Sequence, residues 1–376
     1  MQPSSLAGRL RERLAAIEAH GLTRTLRPPA GIDFSSNDYL GLAHHPLLKW
    51  RMAEAVLAEG VGSTGSRLLR GERDSFMRVE RDFARFKGAA RSLYFSSGYL
   101  ANLAVLATFA EAGDVIFSDE RNHASLIDGV RLSRARVVIF SHNDVAALRQ
   151  AIRDEPCEGQ RFVVIESLFS MDGDEAPLAE YAALCREARA ALMVDEAHAV
   201  GIYGATGSGL IEARGVADDV FVSINTAGKA MGVGGAFVAG SVEAIEYLIQ
   251  RARPFIFSTA PPPALAAALE ASLEVIAGEP ERRARVLHNA LYLRKRLNIP
   301  GASQDNPSQI ISFMIGDNER AVVVAREIQV AGFDVRAVRP PTVPPGTARL
   351  RISVNAGLTE EIMDRFAAAL EQATTQ

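Results

Sequence analysis

Apolar residues near the start of the chain recur at helical spacing. Leu6, Leu10, Leu14 and Ile17 lie three or four residues apart, and this period predicts an amphipathic helix in the N-terminal arm. A second helix is predicted over residues 46–59. The chain is therefore expected to open with helices, ahead of the sequence that forms the sheet.

Short apolar runs alternate with helical stretches between about residues 60 and 240. The helical stretches lie at 99–111, 144–153 and 178–190. The runs that predict strands are SLYF (92–95), DVIF (114–117), RVVIF (136–140), FVVIE (162–166), ALMVDE (191–196) and VFVSI (220–224). This alternation is typical of crossover units, which build a mostly parallel sheet that is buried on both faces.

Three consecutive prolines, Pro261–Pro263, break the chain before its last third. The elements expected after them are a helical region at 264–298, an apolar run at 308–316, a helix at 319–331, the runs FDVRAV and ARLRISV, and a helix at 359–372. The sequence thus predicts an N-terminal arm and helix at 1–45, a large α/β domain at 46–265 and a small C-terminal α+β domain at 266–376.

Charge and composition exclude several classes of protein. Hydrophobic residues make up 48% of the 376 residues, and 41 Lys and Arg against 45 Asp and Glu give a net charge of −4. A mildly acidic chain argues against a nucleic-acid or membrane-surface binder, because both need a basic surface. No apolar run reaches the roughly 18 residues of a transmembrane helix, so no membrane span is expected.

Cysteine usage bears on the compartment. Cys157 and Cys185 are the two cysteines of the chain, and neither has metal-ligand spacing, so neither a metal site nor a disulfide framework is expected. The first 26 residues mix acids and bases and lack the apolar stretch of a signal peptide. The expected location is the reducing cytoplasm.

Two short motifs do not carry function here. Residues 60–65, GVGSTG, match the dinucleotide-binding pattern but follow a predicted helix instead of a strand. Residues 195–198, DEAH, spell a helicase box, but the phosphate-binding loop of such enzymes is absent from the sequence. Neither a nicotinamide site nor a nucleic-acid-dependent ATPase is therefore favoured.

Polar residues with catalytic potential follow four of the predicted strands. They lie at 96–99, at 119–125, at Asp195 with His198, and at 226–232, which contains a lysine. Because the carboxyl ends of parallel strands meet at one edge of a sheet, these groups are expected to form one site. Each alone is more often a structural residue than a functional one, but together they favour function.

The residue types in this set fit pyridoxal 5′-phosphate. Lys229 lies in a glycine-flanked loop, where loss of water would lower its pKa as Schiff-base chemistry requires. A carboxylate such as Asp195 can keep a pyridine nitrogen protonated. The hydroxyls and free N–H groups at 96–99, where a helix is predicted to begin, can hold a phosphate.

Several longer stretches carry a resemblance to a known family. They are FSSNDYLGLAHHP (34–46), GSTGSRLLRG (62–71), YFSSGYLANLAVL (94–106), HASLIDG (123–129), IESLFSMDGDEAPL (165–178), VDEAHAVGIYGATG (194–207), GKAMGVGGAFVAG (228–240), RPFIFSTAPPPA (253–264) and RPPTVPPGTARLRISV (339–354). In these stretches, and in their order, the chain resembles the α-oxoamine synthases, a branch of the fold-type I PLP-dependent transferases.

The resemblance implies a role for each catalytic candidate. Lys229 matches the lysine that binds the cofactor covalently, and Asp195 matches the partner of the pyridine nitrogen. His198 matches the hydrogen-bond donor to the ring 3-hydroxyl, and His123 matches the histidine that stacks on the ring.

The resemblance also implies cofactor contacts and a homodimer. Ser97, Gly98 and Tyr99 match the turn beside the phosphate, and Thr226 matches a phosphate ligand. Thr259 matches a phosphate ligand contributed by the other subunit, which implies active sites shared across a dimer.

The remaining candidates line the pocket or bind substrate. Glu166 and Ser170 match polar pocket residues. Asn37 and Arg351 match residues that hold the amino-acid substrate, and Arg24 matches a further substrate contact. Arg351 would grip the substrate carboxylate with two parallel hydrogen bonds.

Within the family, the chain resembles the branch that joins L-alanine to a pimeloyl thioester, giving 8-amino-7-oxononanoate for biotin synthesis. The acyl carrier is either CoA or an acyl carrier protein. Two alternatives remain: another α-oxoamine synthase that uses glycine or serine with a different acyl-CoA, and a non-catalytic partner subunit. The intact Lys229 argues against the second.

Overall fold

The computed structural model describes residues 5–299 and 308–375, and helices open the chain as expected. The first elements are α1 (Leu6–Ala19), β1 (Ile32–Asp33), α2 (Pro46–Glu59) and α3 (Asp74–Lys87). The predicted bounds of α2 are confirmed. The helix α1 is also present, but none of its residues is buried, so its apolar stripe is not packed against the rest of the described chain.

A seven-stranded sheet forms the centre of the molecule. Its strands are β2 (Arg91–Phe95), β3 (Val115–Asp119), β4 (Arg136–Phe140), β5 (Arg161–Glu166), β6 (Ala190–Asp195), β7 (Val220–Thr226) and β8 (Ala236–Gly240). Their order in the sheet is β2-β8-β7-β6-β5-β3-β4. Only β8 runs antiparallel to its neighbours, so the predicted mostly parallel sheet is confirmed.

Helices cover both faces of this sheet. They are α4 (Gly98–Phe109), α5 (Ala124–Leu132), α6 (Val145–Asp154), α7 (Leu178–Ala188), α8 (Leu210–Ala213), α9 (Val242–Arg251), α10 (Arg253–Ile256) and α11 (Ala264–Gly278). Two apolar clusters fill the two faces, one of them including α2, α3 and α11 and the other including α4, α9 and α10. The central strands are buried along nearly their whole length, as the continuous apolar runs predict.

The strand β8 was not among the predicted strands. Its sequence, AFVAG, is short and follows a glycine pair, so the sequence pattern does not distinguish it from the loop that contains Lys229. In the structure, Ala236 pairs with Phe95 on one side and with Thr226 on the other. β8 therefore sets the distance between the ends of β2 and β7, where two parts of the predicted phosphate site lie.

The C-terminal part forms a smaller α+β unit. Its elements are α12 (Pro280–Arg296), β9 (Ile310–Gly316), α13 (Asn318–Val330), β10 (Phe333–Asp334), β11 (Ala337–Val338), β12 (Ala348–Ser353) and α14 (Glu360–Thr375). The antiparallel sheet has the order β11-β12-β9, and α13 and α14 pack with it around their own apolar cluster. The helical region predicted at 264–298 is two helices, because Pro280 begins a new one.

Packing bears on the predicted domain limits, which stay a prediction. The helix α11 packs against α2 and α3, and its apolar residues belong to the cluster of the large sheet. The segment 34–40 joins both units: Phe34 stacks on Phe366 in the small unit, at 4.1 Å between ring centroids, and Tyr39 is buried in the large one. No helix within residues 5–299 and 308–375 is long and apolar enough to cross a membrane.

Candidate functional site

The carboxyl ends of the parallel strands bring the predicted site residues to one edge of the sheet. Glu166 ends β5, Asp195 ends β6, and the two are partners in the strand register. Thr226 ends β7, and Lys229 follows three residues later. The sheet therefore supplies most of the site from neighbouring strand ends, as the sequence predicts.

The predicted phosphate turn lies between β2 and α4. Ser97 caps α4, its hydroxyl accepting a hydrogen bond from the Leu100 N–H at 3.2 Å. A Cβ atom added at Gly98 would overlap the hydroxyl of Thr226, so only glycine allows this close approach. Tyr99 is exposed, and its hydroxyl donates to Asp128. The helix N-terminus and the Thr226 hydroxyl thus lie close together, and both are groups that can bind a phosphate.

Asp195 is held by a network that includes one residue absent from the sequence prediction. The Asn102 side-chain amide donates to Asp195 at 2.7 Å and to the Ser125 hydroxyl at 2.8 Å. Ser125 in turn lies 2.7 Å from His123 Nδ1. The Ala197 N–H donates to the other Asp195 oxygen at 2.8 Å. Asn102 therefore orients the carboxylate and connects it to the predicted stacking histidine.

Lys229 lies against a histidine, with no carboxylate close to it. Its Nζ atom is 2.7 Å from His198 Nε2, and it forms no ion pair within 4.0 Å among the described residues. Burial lowers the Lys229 pKa to about 8, against the opposing pull of Asp195 and Glu166. Near neutral pH, Lys229 is therefore a neutral amine in a fraction of the molecules, and nucleophilic and general-base chemistry requires this form.

Burial also changes the pKa of Glu166. It raises that pKa to about 8, with the Asp195 charge acting in the same direction and the Lys229 charge against it. The Glu166 Oε1 atom is buried and has no hydrogen-bond partner among the described residues. A protonated carboxyl with a free position is suited to a polar atom of a bound molecule.

The two histidines stay uncharged near neutral pH. Burial, reinforced by the cations of Lys229 and Arg351, holds the His198 pKa well below its usual value. Partial burial lowers the His123 pKa as well, with the Lys229 charge contributing. His123 is nevertheless an exposed residue, so a bound ring can reach it.

The small unit contributes Arg351, from β12. Its Nε atom donates to the Ser170 carbonyl at 2.5 Å, and one terminal nitrogen donates to the Ser353 hydroxyl at 2.9 Å. The other terminal nitrogen is 3.3 Å from the hydroxyl of Tyr39. That hydroxyl also donates to the Asn37 side chain at 2.9 Å. Asn37 and Arg351, the two predicted substrate contacts, are thus brought together through Tyr39, and Ser170 joins them through its backbone carbonyl.

Tyr39 joins the substrate side to the cofactor side, and sequence reasoning missed it. Its hydroxyl lies 2.8 Å from His198 Nδ1, although 159 residues separate the two along the chain. Tyr39 is wholly buried, so in the sequence it is indistinguishable from an ordinary core tyrosine. The signal that could have found it is its place in NDYLG, two residues after the predicted substrate contact Asn37.

Two predicted residues lie apart from this cluster. Arg24 is exposed, in the stretch after α1, and the neighbouring Thr23 carbonyl accepts from Arg339 at 3.2 Å. Thr259 is also exposed, and it borders a small cavity with Ser96 and Arg67 of its own chain. Their contacts with substrate and with a second subunit stay predictions.

The residues present fit pyridoxal phosphate and offer little to a metal. Across the described ranges, no group of three or more His, Cys, Asp or Glu side chains could hold a metal ion. Three features match three parts of the cofactor. The close approach of Gly98 and Thr226 suits its phosphate, and the fixed carboxylate of Asp195 suits its ring nitrogen. The lowered pKa of Lys229 suits reaction with its aldehyde.

Comparison with known proteins agrees with this geometry. The model of the aminotransferase class I and II family matches residues 29–370, and the chain belongs to that family. It is 45% identical over 347 residues to the 8-amino-7-oxononanoate synthase of Methylococcus capsulatus, which covers 92% of this chain and 89% of that protein.

Two solved structures share the fold. A serine palmitoyltransferase of S. paucimobilis, solved with a PLP–myriocin aldimine, has a TM-score of 0.91 at 29% identity, covering 99% of this chain and 100% of that one. The 8-amino-7-oxononanoate synthase of Francisella tularensis has a TM-score of 0.79 at 28% identity, covering 92% and 98%. The predicted fold-type I class, the α-oxoamine synthase family and its pyridoxal 5′-phosphate cofactor are confirmed.

Proposed function

We propose that this chain joins L-alanine to a pimeloyl thioester and forms 8-amino-7-oxononanoate, CO2 and the free carrier, a step of biotin synthesis. The observation that carries the proposal is the hydrogen-bonded path from Arg351 through Tyr39 and His198 to Lys229. This path connects the Arg351 guanidinium, a group suited to binding a carboxylate, to the Lys229 amine. The 45% identity to a synthase of this name supports the choice of substrates.

Bound pyridoxal 5′-phosphate supplies an electron-accepting ring that stabilises negative charge on the amino-acid Cα atom. Lys229 moves the proton at that atom, removing it before the new bond forms and returning one after CO2 leaves. Its pKa of about 8 lets it do both near neutral pH. Asp195, fixed by Asn102, keeps a positive charge favourable at the ring nitrogen.

Arg351 and Asn37 hold the amino acid. The guanidinium group binds the alanine carboxylate until the carbon–carbon bond to the thioester carbonyl has formed and the carbon–sulfur bond has broken. That carboxylate then leaves as CO2. Ser170 and Ser353 fix the guanidinium plane through its other nitrogens. Positioning of this kind decides which bond at Cα is broken.

Serine with a longer acyl thioester is the second candidate. The serine palmitoyltransferase structure has the higher TM-score, 0.91 against 0.79 for the Francisella synthase. Both solved structures are nevertheless less than 30% identical to this chain, far below the Methylococcus synthase. Sequence identity over the whole chain reflects the site more closely than backbone overlap does, and this favours alanine.

The proposed assembly is a homodimer in the cytoplasm. Leu69 and Phe257 are 85% and 72% exposed, on two segments that contact each other beside Thr259. A partner subunit would cover such apolar positions. Cys157 and Cys185 are free thiols, which is consistent with a reducing compartment.

Steady-state kinetics with defined substrates test the function. Alanine, glycine and serine are each combined with pimeloyl-CoA, a pimeloyl carrier protein and palmitoyl-CoA, and products are identified by mass spectrometry. We expect 8-amino-7-oxononanoate from alanine, with a preference over glycine of only about 1 kcal/mol, because one methyl group distinguishes them. A product formed solely from serine and palmitoyl-CoA would replace the first proposal with the second.

Arg351→Lys refines the same test. Lysine keeps the positive charge but loses the fork that binds a carboxylate with two hydrogen bonds. The KM for alanine is expected to rise steeply while the KM for the acyl thioester changes little. Equal changes in both constants would contradict the assignment of Arg351 to the amino-acid carboxylate.

A further inference from the structure

A short hairpin follows β5 and reaches from the large sheet to the small unit. It covers residues 167–176, and the Phe169 N–H donates to the Asp174 carbonyl at 2.9 Å across it. At its tip, Gly173 has a positive φ, and a Cβ atom added there would overlap the Ile310 carbonyl at the start of β9. The hairpin is therefore packed directly against the small unit.

Two arginines of β12 are bound to this hairpin. The Ser170 carbonyl accepts from Arg351 Nε at 2.5 Å, and the Asp172 carboxylate forms an ion pair with Arg349. Arg349 lies two residues before Arg351 and thus on the same face of the strand. A shift of the hairpin would therefore displace the guanidinium group that is assigned to the substrate.

On its other side, the hairpin is tied to the large sheet by a histidine outside the predicted site. His142 follows β4, and its ring nitrogens lie 2.5 Å from Asp174 Oδ2 and 2.9 Å from Asp119 Oδ1. Asp119 ends β3, and the side chains of Asp119 and His142 are 0% and 10% exposed. The Phe169 and His142 rings are nearly perpendicular, with 4.4 Å between their centroids. His142 thus links the end of a sheet strand to the hairpin.

The chemistry of the two partners determines the charge of this ring. An ionised carboxylate only accepts hydrogen bonds, so Nε2 donates to Asp174 and Nδ1 donates to Asp119, and the ring is an imidazolium. A third carboxylate, of Glu120, accepts from the His142 backbone N–H at 3.2 Å. Burial acts to lower the His142 pKa, but the hydrogen bonds to Asp119 and Asp174 outweigh it and raise that pKa to about 9. The link is therefore a pair of charge-assisted hydrogen bonds, which are stronger than neutral ones.

We propose that His142 is a positioning residue whose imidazolium ties the hairpin 167–176 to the large sheet and thereby holds Arg351 in place for the amino-acid carboxylate. The proposal rests on the role of Arg351 in the proposed function. His142 acts through the hairpin, so its loss is expected to weaken amino-acid binding and to leave the reactivity of Lys229 nearly unchanged.

Two amide substitutions separate the two ties of His142. The side-chain amide of Asn reaches the place of Nδ1 and can keep the bond to Asp119, whereas that of Gln reaches the place of Nε2 and can keep the bond to Asp174. We expect His142→Asn to weaken L-alanine binding by about tenfold, the worth of one hydrogen bond, and His142→Gln by roughly threefold or less. Both variants remove the charge, so a role confined to burying a cation would affect them alike.

Asp174→Ala removes the same tie from the hairpin side. It should also weaken L-alanine binding by about tenfold, and combining it with His142→Asn should add little, because both changes break one bond. The matched control is His288→Asn, which makes the same substitution at an exposed histidine paired with Glu360. Additive losses in the double variant would contradict an effect through the His142–Asp174 bond.

Binding is measured by the change in visible absorbance when an amino acid is added to the holoenzyme without a thioester. L-Alaninamide serves as the second ligand, because it lacks the carboxylate that Arg351 would bind. We expect His142→Asn to weaken alanine but not alaninamide, and to change kcat little at saturating alanine. Equal weakening of both ligands, or equal affinities in His142→Asn and the wild type, would overturn the proposal. Because no thioester is present, failure to form 8-amino-7-oxononanoate would leave this result untouched.

The charge of His142 is measured separately, by 15N NMR of holoenzyme labelled at its histidines. His142→Asn identifies the His142 signals among those of the seven histidines. We expect both ring nitrogens to be protonated at pH 7, with a titration midpoint near pH 9 that falls in Asp174→Ala, because one carboxylate partner is lost. A neutral His142 ring at pH 7 would overturn the proposal whatever the role of Arg351.

Discussion

A buried lysine, Lys87, and a partly buried one, Lys229, lie on opposite sides of the same strand end, and their charges are compensated differently. Asp195 and Glu196 follow each other at the end of β6. Asp195 faces the site of Lys229, whereas Glu196 forms an ion pair with Lys87 at the end of α3. The Lys87 ammonium also donates to the Ser208 carbonyl at 2.6 Å. The Lys229 amine has a neutral histidine as its nearest hydrogen-bond partner.

The difference explains why one lysine is structural and the other is suited to chemistry. The side chains of Lys87 and Glu196 are 2% and 0% exposed, and the pair compensates most of the cost of burying each charge. Lys229 pays that cost without a carboxylate in contact, and its pKa falls to about 8 as a result. A reactive lysine therefore needs burial and the absence of a direct counter-ion.

The largest effect is expected from removing the reactive amine. Lys229→Met should reduce kcat by a factor of about 10⁴ or more, because both covalent attachment and proton transfer at Cα are lost. The unfolding free energy should not fall, since a desolvated cation without a counter-ion is replaced by an apolar group. Single-turnover assays and urea titrations measure the two. Retained activity would refute the role of Lys229.

A smaller loss of activity is expected when the charge of Asp195, the carboxylate that faces the Lys229 site, is removed. Asp195→Asn keeps the shape of the side chain and an oxygen that can accept the hydrogen bond from Asn102. It removes the negative charge that would face the ring nitrogen. The activation barrier should rise by about 4 kcal/mol, as for loss of a preorganised electrostatic partner. The measurement is kcat for alanine condensation, with Glu196→Gln as the neighbouring comparison. A loss below tenfold would mean that the ring nitrogen is held by another group.

The sequence predicted the site around Asp195 and Lys229, but it did not predict the ion pair between Lys87 and Glu196. Asp195 and Lys229 follow apolar strands, and the meeting of parallel strand ends is a general rule, so their proximity was predictable. Lys87 ends an amphipathic helix, where a lysine is normally solvated, and nothing local indicates that it turns inward. Its partner, Glu196, lies 109 residues away along the chain.

Side-chain networks across distant segments were missed for the same physical reason. Tyr39 and Asn102 act through hydrogen bonds that include partners 159 and 93 residues away along the chain. Hydrophobic periodicity specifies which face of an element is buried, but it says nothing about which polar atoms meet inside. Asn102, a lone amide within the apolar helix sequence LANLAVL, is the one local signal of such a network.

Substitution of Lys87, the lysine paired with Glu196, is expected to lower the free energy of unfolding and to leave activity nearly unchanged. Lys87→Met leaves Glu196 buried without its partner, and the unfolding free energy should fall by roughly 3–5 kcal/mol. Lys87→Met combined with Glu196→Gln should recover part of the loss, because the uncompensated charge is gone. Urea titration measures both, and kcat per folded molecule should change little. A double variant as unstable as the single one would show that packing, and not the unpaired charge, causes the loss.

The smallest expected effect is a pH dependence that only the Lys229 side produces. In the cofactor-free protein the folded Lys229 pKa is about 8, below the roughly 10.4 of an unfolded lysine. Between these values the unfolded chain binds more protons than the folded one, so stability should rise with pH, by about 3 kcal/mol over the whole interval. Glu166, with its pKa raised to about 8, gives the opposite slope at lower pH: the folded state keeps its proton up to pH 8, and stability falls as the pH approaches that value.

Urea midpoints of cofactor-free protein, taken from pH 5 to pH 10 at one protein concentration, test these two slopes. Relative to the wild type, Lys229→Met should remove the rise above about pH 8, and Glu166→Gln should remove the fall below it. Lys49→Met makes the first substitution at an exposed lysine and controls for the change of residue type. If Lys229→Met keeps the wild-type rise, the unpaired burial of Lys229 does not lower its pKa, and the distinction between the two lysines has to be sought in the cofactor instead.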